Sequence, residues 1–385
     1  MLVSATLPPP LTITNGTVLL PDGSMEQLDV TCAEDRIRSV GGPIADGPEL
    51  DATGALVLPG LVDIHGDGFE RTLMPRPGVF VGVERAVAET RTQLLAAGIT
   101  TAFISVTDGW EPGLRSRESL RQLVAELARS APQPQFPRLE IHVRHERCNT
   151  ENLDELLAWV GDGAVRMISY NDHTPGGIAM VSGLSDLQVK RSTLSREDLE
   201  QCQQEAIAQR DVGRAQEDDI ASAVRAAGIV SASHDASSDE DLRRDLDLGV
   251  DIAEFPLSIE LAHKYRGAEI AILLGAPNLV RGRSHLGNLS VRDAWAEGVA
   301  DLICSDYHYQ SLLHAPFVLE ELGSSLHDAW HAVSAGPAAA AGLPDRGRVE
   351  AGALADLIVV EPPTKTQPAR VRAVVVGGRL AALTP

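Results

Sequence analysis

Aromatic residues make up only 4% of this 385-residue chain, so a core must be assembled from Ala, Val, Leu and Ile, as in the interiors of barrels. Cysteine is scarce. Cys32, Cys148, Cys202 and Cys304 show no C-x-x-C spacing and are too few for a disulfide framework, which leaves buried free thiols as the expectation. Positive charge is short as well: 33 Lys and Arg stand against 54 Asp and Glu, a net charge of -21. Nucleic-acid grooves and anionic membranes are bound through excess Lys and Arg, so neither is an expected partner. Long apolar runs are missing too. No stretch approaches the ~20 residues that span a bilayer, and the start, MLVSATLPPP, has no charged segment followed by an apolar one. A cytoplasmic protein acting on a small molecule is expected, and self-association into a homo-oligomer is compatible with this composition.

What the chain does have is short, β-prone apolar runs that end in metal-ligand residue types. Val57 to Ile64 runs into Asp63-Ile-His-Gly-Asp67. On a strand, residues two apart share a face, so His65 and Asp67 can grip one divalent ion. Leu139 to Glu146, Val165 to His173, Ile229 to Asp235 and Ala300 to Asp306 repeat the design. Ile99 to Thr107, Ile252 to Leu257 and Ile270 to Ala276 raise the strand candidates to eight. Helix-like sequence follows most of them, which predicts an α/β fold, a (β/α)8 TIM-like barrel whose strand ends converge on one face.

The two ends read differently. Alternating strands with turn signals at Asn15-Gly16 and Pro21-Asp22-Gly23, and again over Asp356 to Val360 and Val371 to Val376, predict a small discontinuous β domain. The expected division is 1–55 and 347–385 for that domain and 56–346 for the barrel. Ser195-Arg-Glu-Asp198 opens a helix as a capping box, and Ala215 to Ala227 reads as a second helix. Both are charged, which favours solvated outer helices over a lid. Ala335 to Ala341 is an Ala-rich helix.

Val57-Leu-Pro-Gly-Leu-Val-Asp-Ile-His65, Ser305-Asp306 and Ala355-Asp-Leu-Ile-Val359 together resemble the amidohydrolase superfamily of metal-dependent hydrolases. Glu70 to Val79, Asn171-Asp-His-Thr-Pro-Gly176, Ala232-Ser-His-Asp235, Ala253-Glu-Phe-Pro256, Ser305-Asp-Tyr307 and the run from Gly275 to Asn288, GAPNLVRGRSHLGN, are similar to one branch of it. That branch is the ribose 1-methylphosphonate 5-triphosphate diphosphatases of the carbon-phosphorus lyase route of phosphonate use.

The resemblance implies two divalent cations, of zinc, manganese or iron. His65, Asp67 and Asp306 would hold one and His173 and His234 the other, with Glu146 bridging them beside a shared water. Asp306 would be the catalytic base. Two ions about 3.5 to 4 Å apart make hydroxide available near neutral pH and polarise a phosphoryl oxygen. Arg281, Arg283, Ser284, His285 and Asn288, in the loop after the seventh strand, are the expected phosphate clamp, with Arg71, Arg76 and Lys264 as further cations. Gly66 and Gly68 stand where the branch carries Thr and Asn. The superfamily also places its two later histidines after the fifth and sixth strands, whereas His173 and His234 follow the fourth and fifth of this count. A strand within 171–228 or a rearranged ligand set would account for it. Phosphoanhydride hydrolysis is therefore the expected activity, with opening of a cyclic amide or N-acyl sugar phosphate as the alternative and a non-catalytic assembly subunit as the third.

Overall fold

The β-branched runs cover one another in the computed structural model, which describes residues 9–130, 135–177, 183–282 and 289–384. Eight parallel strands form one sheet in chain order: Leu61–Gly66, Ile99–Asp108, Arg138–Glu146, Met167–Asn171, Val230–His234, Ile252–Glu254, Ala271–Gly275 and Leu302–Cys304. These are numbered here as barrel strands 1 to 8. All eight expected strands are present. Asp186–Ser192, Arg196–Ile207 and Arg210–Ala227 fill most of the space between strands 4 and 5, and no strand lies there among the described residues. Ser195 caps the second of these helices by accepting from the Asp198 amide, as its spacing predicts. The third begins five residues earlier than the expected Ala215, because Arg210 is anchored on Asp172 and Thr174 at the end of strand 4.

Barrel closure rests on a few bonds between strand 1 and the residues just beyond strand 8. The Asp306 amide donates to the His65 carbonyl and the Asp67 amide to the Asp306 carbonyl, both at 3.0 Å. Below this pair the buried Asp63 carboxylate accepts from the Ser305 amide at 2.9 Å and from the Ser305 hydroxyl at 2.5 Å. Burial raises the Asp63 carboxyl to about 6, against the pull of these bonds.

Inside the barrel, Val62, Phe103, Met167, Ala232, Ile252, Leu273 and Leu302 form an apolar layer. Ala338 and Ala341 join it, so the Ala-rich helix Ala335–Ala340 and the residue after it plug the floor with small side chains. The larger cluster between strands and helices includes Leu94, Leu120, Leu156, Ile220, Leu279 and Trp330.

The chain ends build two further sheets, and one detail departs from the sequence reading. The apolar run Val57 to Ile64 is not one strand. Leu56–Pro59 joins a six-stranded sheet between Leu357–Glu361 and Thr17–Leu19, and the barrel strand starts beyond Gly60. The chain changes sheets there because Trp330 Nε1 and Ser334 Oγ take the carbonyls of Pro59 and Gly60, at 3.0 and 2.6 Å. A four-stranded sheet containing Leu11–Thr14 and Val30–Ala33 packs with it through Ile13, Val30, Val57, Val359 and Ala373. Arg138, at the start of strand 3, ties these sheets to the barrel through Asp356 at 2.7 Å.

Ser305→Ala removes the hydroxyl that satisfies one oxygen of a fully buried carboxylate. We expect a loss of about 1–3 kcal/mol in chemical denaturation. A loss near zero would mean that closure does not lean on this pair.

Candidate active site

Strand ends on the upper face enclose a cavity of about 140 Å³ lined by His65, Asp67, Arg144, His234, Asp235, Phe255, Asn278 and Asp306, among others. Four expected site residues, His65, Asp67, His234 and Asp306, therefore come together at one opening. His65 and His234 stack with ring centroids 5.2 Å apart. Asp67 lies beyond the last residue of strand 1, and its position beside Asp306 comes from the closure bonds rather than from strand alternation.

A residue outside the expected set organises both rings. Glu254, the last residue of strand 6 and fully buried, lies 2.8 Å from His65 Nδ1 and 3.0 Å from His234 Nδ1 through its two oxygens. Each Nδ1–H donates to this carboxylate, which turns each Nε2 away from it as an acceptor. Burial and the charge of Arg144 keep both imidazoles neutral, His65 at about 3 and His234 well below the usual histidine range. Neutral imidazole is the form that ligates metal. Strand 6 thus contributes a carboxylate where the superfamily usually has histidine.

His173, two residues beyond strand 4, is held in a similar way. Glu146 Oε1 lies 2.5 Å from His173 Nδ1, and Oε2 accepts the His173 amide at 2.9 Å. Burial opposes both charges, but each group's charge outweighs it in the other. Glu146 sits at about 2 and His173 at about 9. On the far side of that ring, His173 Nε2 is 3.6 Å from Asp235 Oδ2, and His234 Nε2 is also 3.6 Å from it.

Arg144 was not singled out by the sequence reading, yet its side chain is nearly buried in the middle of the site. Nη2 is 2.8 Å from His234 Nε2 and Nη1 is 3.5 Å from Asp67 Oδ2. Its Nε has no partner among the described residues, and neither has the buried Oδ1 of Asn278. The signal for Arg144 was its place two residues before Glu146 on one strand, where side chains share a face. Asp306 is pushed well above the carboxylate range by burial and then by the charge of Asp67, with Asp235 adding to it.

The expected clamp is described only in part. Arg283, Ser284, His285 and Asn288 lie outside the described residues. Arg281 is exposed at the end of the helix Ala276–Arg281, with Nη1 3.3 Å from Tyr307 Oη. Arg71 donates to the Tyr307 carbonyl on the same rim. Arg76 is exposed in the turn it forms with Val79 and does not line the cavity. Lys264 is likewise remote, paired with Asp239 on the helix Ile259–Gly267.

Comparison with known proteins follows the same lines. The chain is 31% identical over 322 residues to the alpha-D-ribose 1-methylphosphonate 5-triphosphate diphosphatase of Escherichia coli, covering 80% of this chain and 84% of that protein. The chain belongs to the amidohydrolase superfamily. The model of the amidohydrolase family matches residues 285–382. A dihydroorotase of Syntrophotalea carbinolica is 52% identical, but over 56 residues, 14% of this chain and 13% of that protein. Among solved structures, an amidohydrolase from a Sargasso Sea environmental sample aligns with a TM-score of 0.66 and 16% identity, over 97% of this chain and 93% of that one. The dihydropyrimidinase of Brevibacillus agri aligns with a TM-score of 0.58 and 14% identity, over 97% and 95%. Amidohydrolases are metal-dependent as a class, and this donor set fits a divalent ion. Three histidines have their Nδ1 atoms on carboxylates, and Asp67, Asp235 and Asp306 face one cavity in which Arg144 is the one balancing cation among the described residues.

Gly66 and Gly68 also find their reason here. A Cβ on Gly66 would lie 2.5 Å from Asp63 Oδ2 and 2.9 Å from Ser305 Oγ, and one on Gly68 would lie 2.9 Å from the Tyr309 ring. The buried Tyr309 fills the space that larger side chains at these positions would need.

Gly68→Asn is therefore expected to cost roughly 1–3 kcal/mol by overpacking, and Tyr309→Ala about 3–5 kcal/mol by leaving a cavity. The double variant should be more stable than the sum of the two losses by over ~0.5 kcal/mol in denaturation, and strict additivity would rule out the contact.

The Glu146 and His173 pair gives a pH dependence of the metal-free protein. The acid, lowered from 4.5, contributes above about 4.5 and loses its contribution as pH falls through about 2. The base, raised from 6.5, contributes fully below about 6.5 and loses its contribution as pH rises through about 9. The stability difference between wild type and Glu146→Gln should be greatest at pH 4.5–6.5 and shrink toward pH 9. A flat difference in urea titrations across that window would exclude an ionic pair.

Proposed function

We propose that the chain is a metal-dependent diphosphatase that cleaves alpha-D-ribose 1-methylphosphonate 5-triphosphate to the 5-phosphate and pyrophosphate. The observation that carries this reading is the single cavity in which His65, Asp67, His234 and Asp306 meet the buried guanidinium of Arg144, in a chain spanning 84% of a curated diphosphatase. His65, Asp67 and Asp306 on one side and His173 and His234 on the other, with Glu146 shared between them, are the residues proposed to hold two divalent cations, of zinc, manganese or iron. When bound, such ions lower the pKa of water and polarise a phosphoryl oxygen.

The chain's own groups supply the rest. Asp306, which lines the cavity beside Asp67, is proposed to take a proton from the attacking water and return it to the leaving pyrophosphate. Glu254 fixes the tautomers of His65 and His234, which leaves each Nε2 free to ligate. Arg144 has donors within the cavity and can orient phosphoryl oxygens, and Asn278 also lines it. Arg281, with Arg283, Ser284, His285 and Asn288 of the sequence that follows, is proposed to hold the outer phosphates. A small phosphorylated molecule is the partner this site suits. No described helix is long and apolar enough to cross a membrane.

One observation favours a second reading. The short dihydroorotase match would suit cyclic-amide hydrolysis, for which the arginines have no evident use.

The deciding experiment pairs metal analysis of purified protein with pyrophosphate release from the methylphosphonate ribose triphosphate and from plain nucleoside triphosphates. We expect chelator-sensitive release that metal restores. Asp306→Asn should lower kcat by roughly 10²–10⁴ with metal retained. Hydrolysis of dihydroorotate or a hydantoin, with no pyrophosphate from any triphosphate, would overturn the reading. Arg281→Ala should raise KM, and an unchanged KM would remove Arg281 from the clamp.

A further inference from the structure

We propose that Arg115 and Arg191 form a second anion subsite on the upper face, across the barrel from Arg281, and that it receives the methylphosphonate end of the substrate. This rests on the diphosphatase reading above, and it assigns the groups that select the end of the molecule remote from the cleaved anhydride.

Topology places the two arginines. Arg115 lies in the loop after strand 2, and Arg191 lies on the helix Asp186–Ser192 after strand 4. Between them stands strand 3, which in a closed ring of eight is opposite strand 7, and strand 7 runs directly into the helix that ends at Arg281. All these connections leave the strands on the face where barrels bind their ligands. The helix Asp186–Ser192 is not the solvated outer element that its charge suggests. A Cβ on Gly113, in the strand 2 loop, would lie 2.8 Å from the Arg191 carbonyl, so the helix ends hard against that loop. Gln188 of the same helix shares a cleft with Arg115, Glu146 and His173. At about 20 Å³ the cleft has room for a water and not for a phosphonate. It marks where the two walls meet beside the metal-ligand candidates, and the anion is received outside it.

The bonding of the pair leaves donors to spare. Glu70, buried on the helix Phe69–Leu73, accepts from Arg115 Nε and Nη2 at 2.8 and 2.9 Å. Arg191 Nη1 stands 3.6 Å from Glu70 Oε2, the oxygen that Arg115 Nη2 already holds. Arg115 Nη1 and the Arg191 guanidinium have no hydrogen bond among the described residues, and the two side chains are 21% and 23% exposed, within reach of a solute. Glu111 also approaches, with Oε1 3.9 Å from Arg115 Nε, but burial favours its uncharged form. Two guanidiniums thus share one ionised carboxylate. Held on that common anchor, they present planar donor edges suited to a tetrahedral oxyanion.

The substrate's chemistry matches this spacing of charge around the barrel. A methylphosphonate ester carries a negative charge and acceptor oxygens at the sugar's first carbon, away from the triphosphate on the fifth. A nucleoside triphosphate has a neutral base in that place, and ribose 5-triphosphate a hydroxyl. Binding energy from such a non-reacting group is what lets an enzyme prefer one triphosphate over another.

The test is a ratio of substrates. Pyrophosphate release is measured from alpha-D-ribose 1-methylphosphonate 5-triphosphate and from ribose 5-triphosphate, with wild type, Arg191→Ala and, as a control for general charge, Lys264→Ala. Wild type should prefer the methylphosphonate substrate in kcat/KM. Arg191→Ala should lower that preference by roughly 10–100-fold, chiefly through KM, while Lys264→Ala leaves it as in wild type. A merely structural role for Arg191 would move both substrates alike. An unchanged preference in Arg191→Ala, or an equal fall in Lys264→Ala, would overturn the subsite. No pyrophosphate from either triphosphate with wild type would instead overturn the diphosphatase reading, and the subsite with it.

Discussion

Everything at the upper face depends on how the sheet is closed. Strand 1 and the residues after strand 8 are joined by the Asp306 amide on the His65 carbonyl and the Asp67 amide on the Asp306 carbonyl. These bonds bring into one cavity three residues separated by some 240 positions of chain. Asp63 and Ser305 hold the same seam one layer down, in a region where an unpaired carboxylate would be costly. Gly66 and Gly68 are small because Asp63, Ser305 and Tyr309 crowd this seam.

A second principle governs the side chains that line the cavity. Each of three histidines in or beside it has Nδ1 on a buried glutamate: His65 and His234 on Glu254, His173 on Glu146. The glutamates lie behind the rings. Asp67, Asp235 and Asp306 line the cavity in front of them, and burial together with the charge of Asp67 pushes Asp306 above the carboxylate range. Arg144 is the one cation lining that cavity among the described residues. Its guanidinium reaches His234 Nε2 at 2.8 Å and Asp67 Oδ2 at 3.5 Å.

Much of the fold was legible from the chain alone because short β-branched runs alternating with helical patterns have few packings open to them. All eight barrel strands fall within a few residues of their sequence-based positions. Val57 to Ile64 misled, since an apolar run carries no mark of a change of sheet, and only Trp330 and Ser334 hold the carbonyls of Pro59 and Gly60 where it occurs. The count of histidines after strands 4 and 5 stands, with Glu254 on strand 6. Arg144, Glu254 and Asn278 were passed over because each, read alone, is an ordinary polar residue at the end of an apolar segment. Asp235 stood in view after His234, but strand alternation would have turned it away, and only its left-handed φ turns it back.

The sequence by itself determined the fold class and the superfamily, because hydrophobic periodicity and short contiguous motifs are local properties. It also marked His65, Asp67, Glu146, His173, His234 and Asp306 as a set. Which atom of each faces the cavity was decided by tertiary structure alone. The edge a histidine presents depends on whether a carboxylate from another strand takes its Nδ1, and Glu254 reaches His65 across 189 positions of sequence. The same holds for the carboxylates. A glutamate behind a ring and an aspartate before it look alike in the chain, and only closure of the barrel tells them apart.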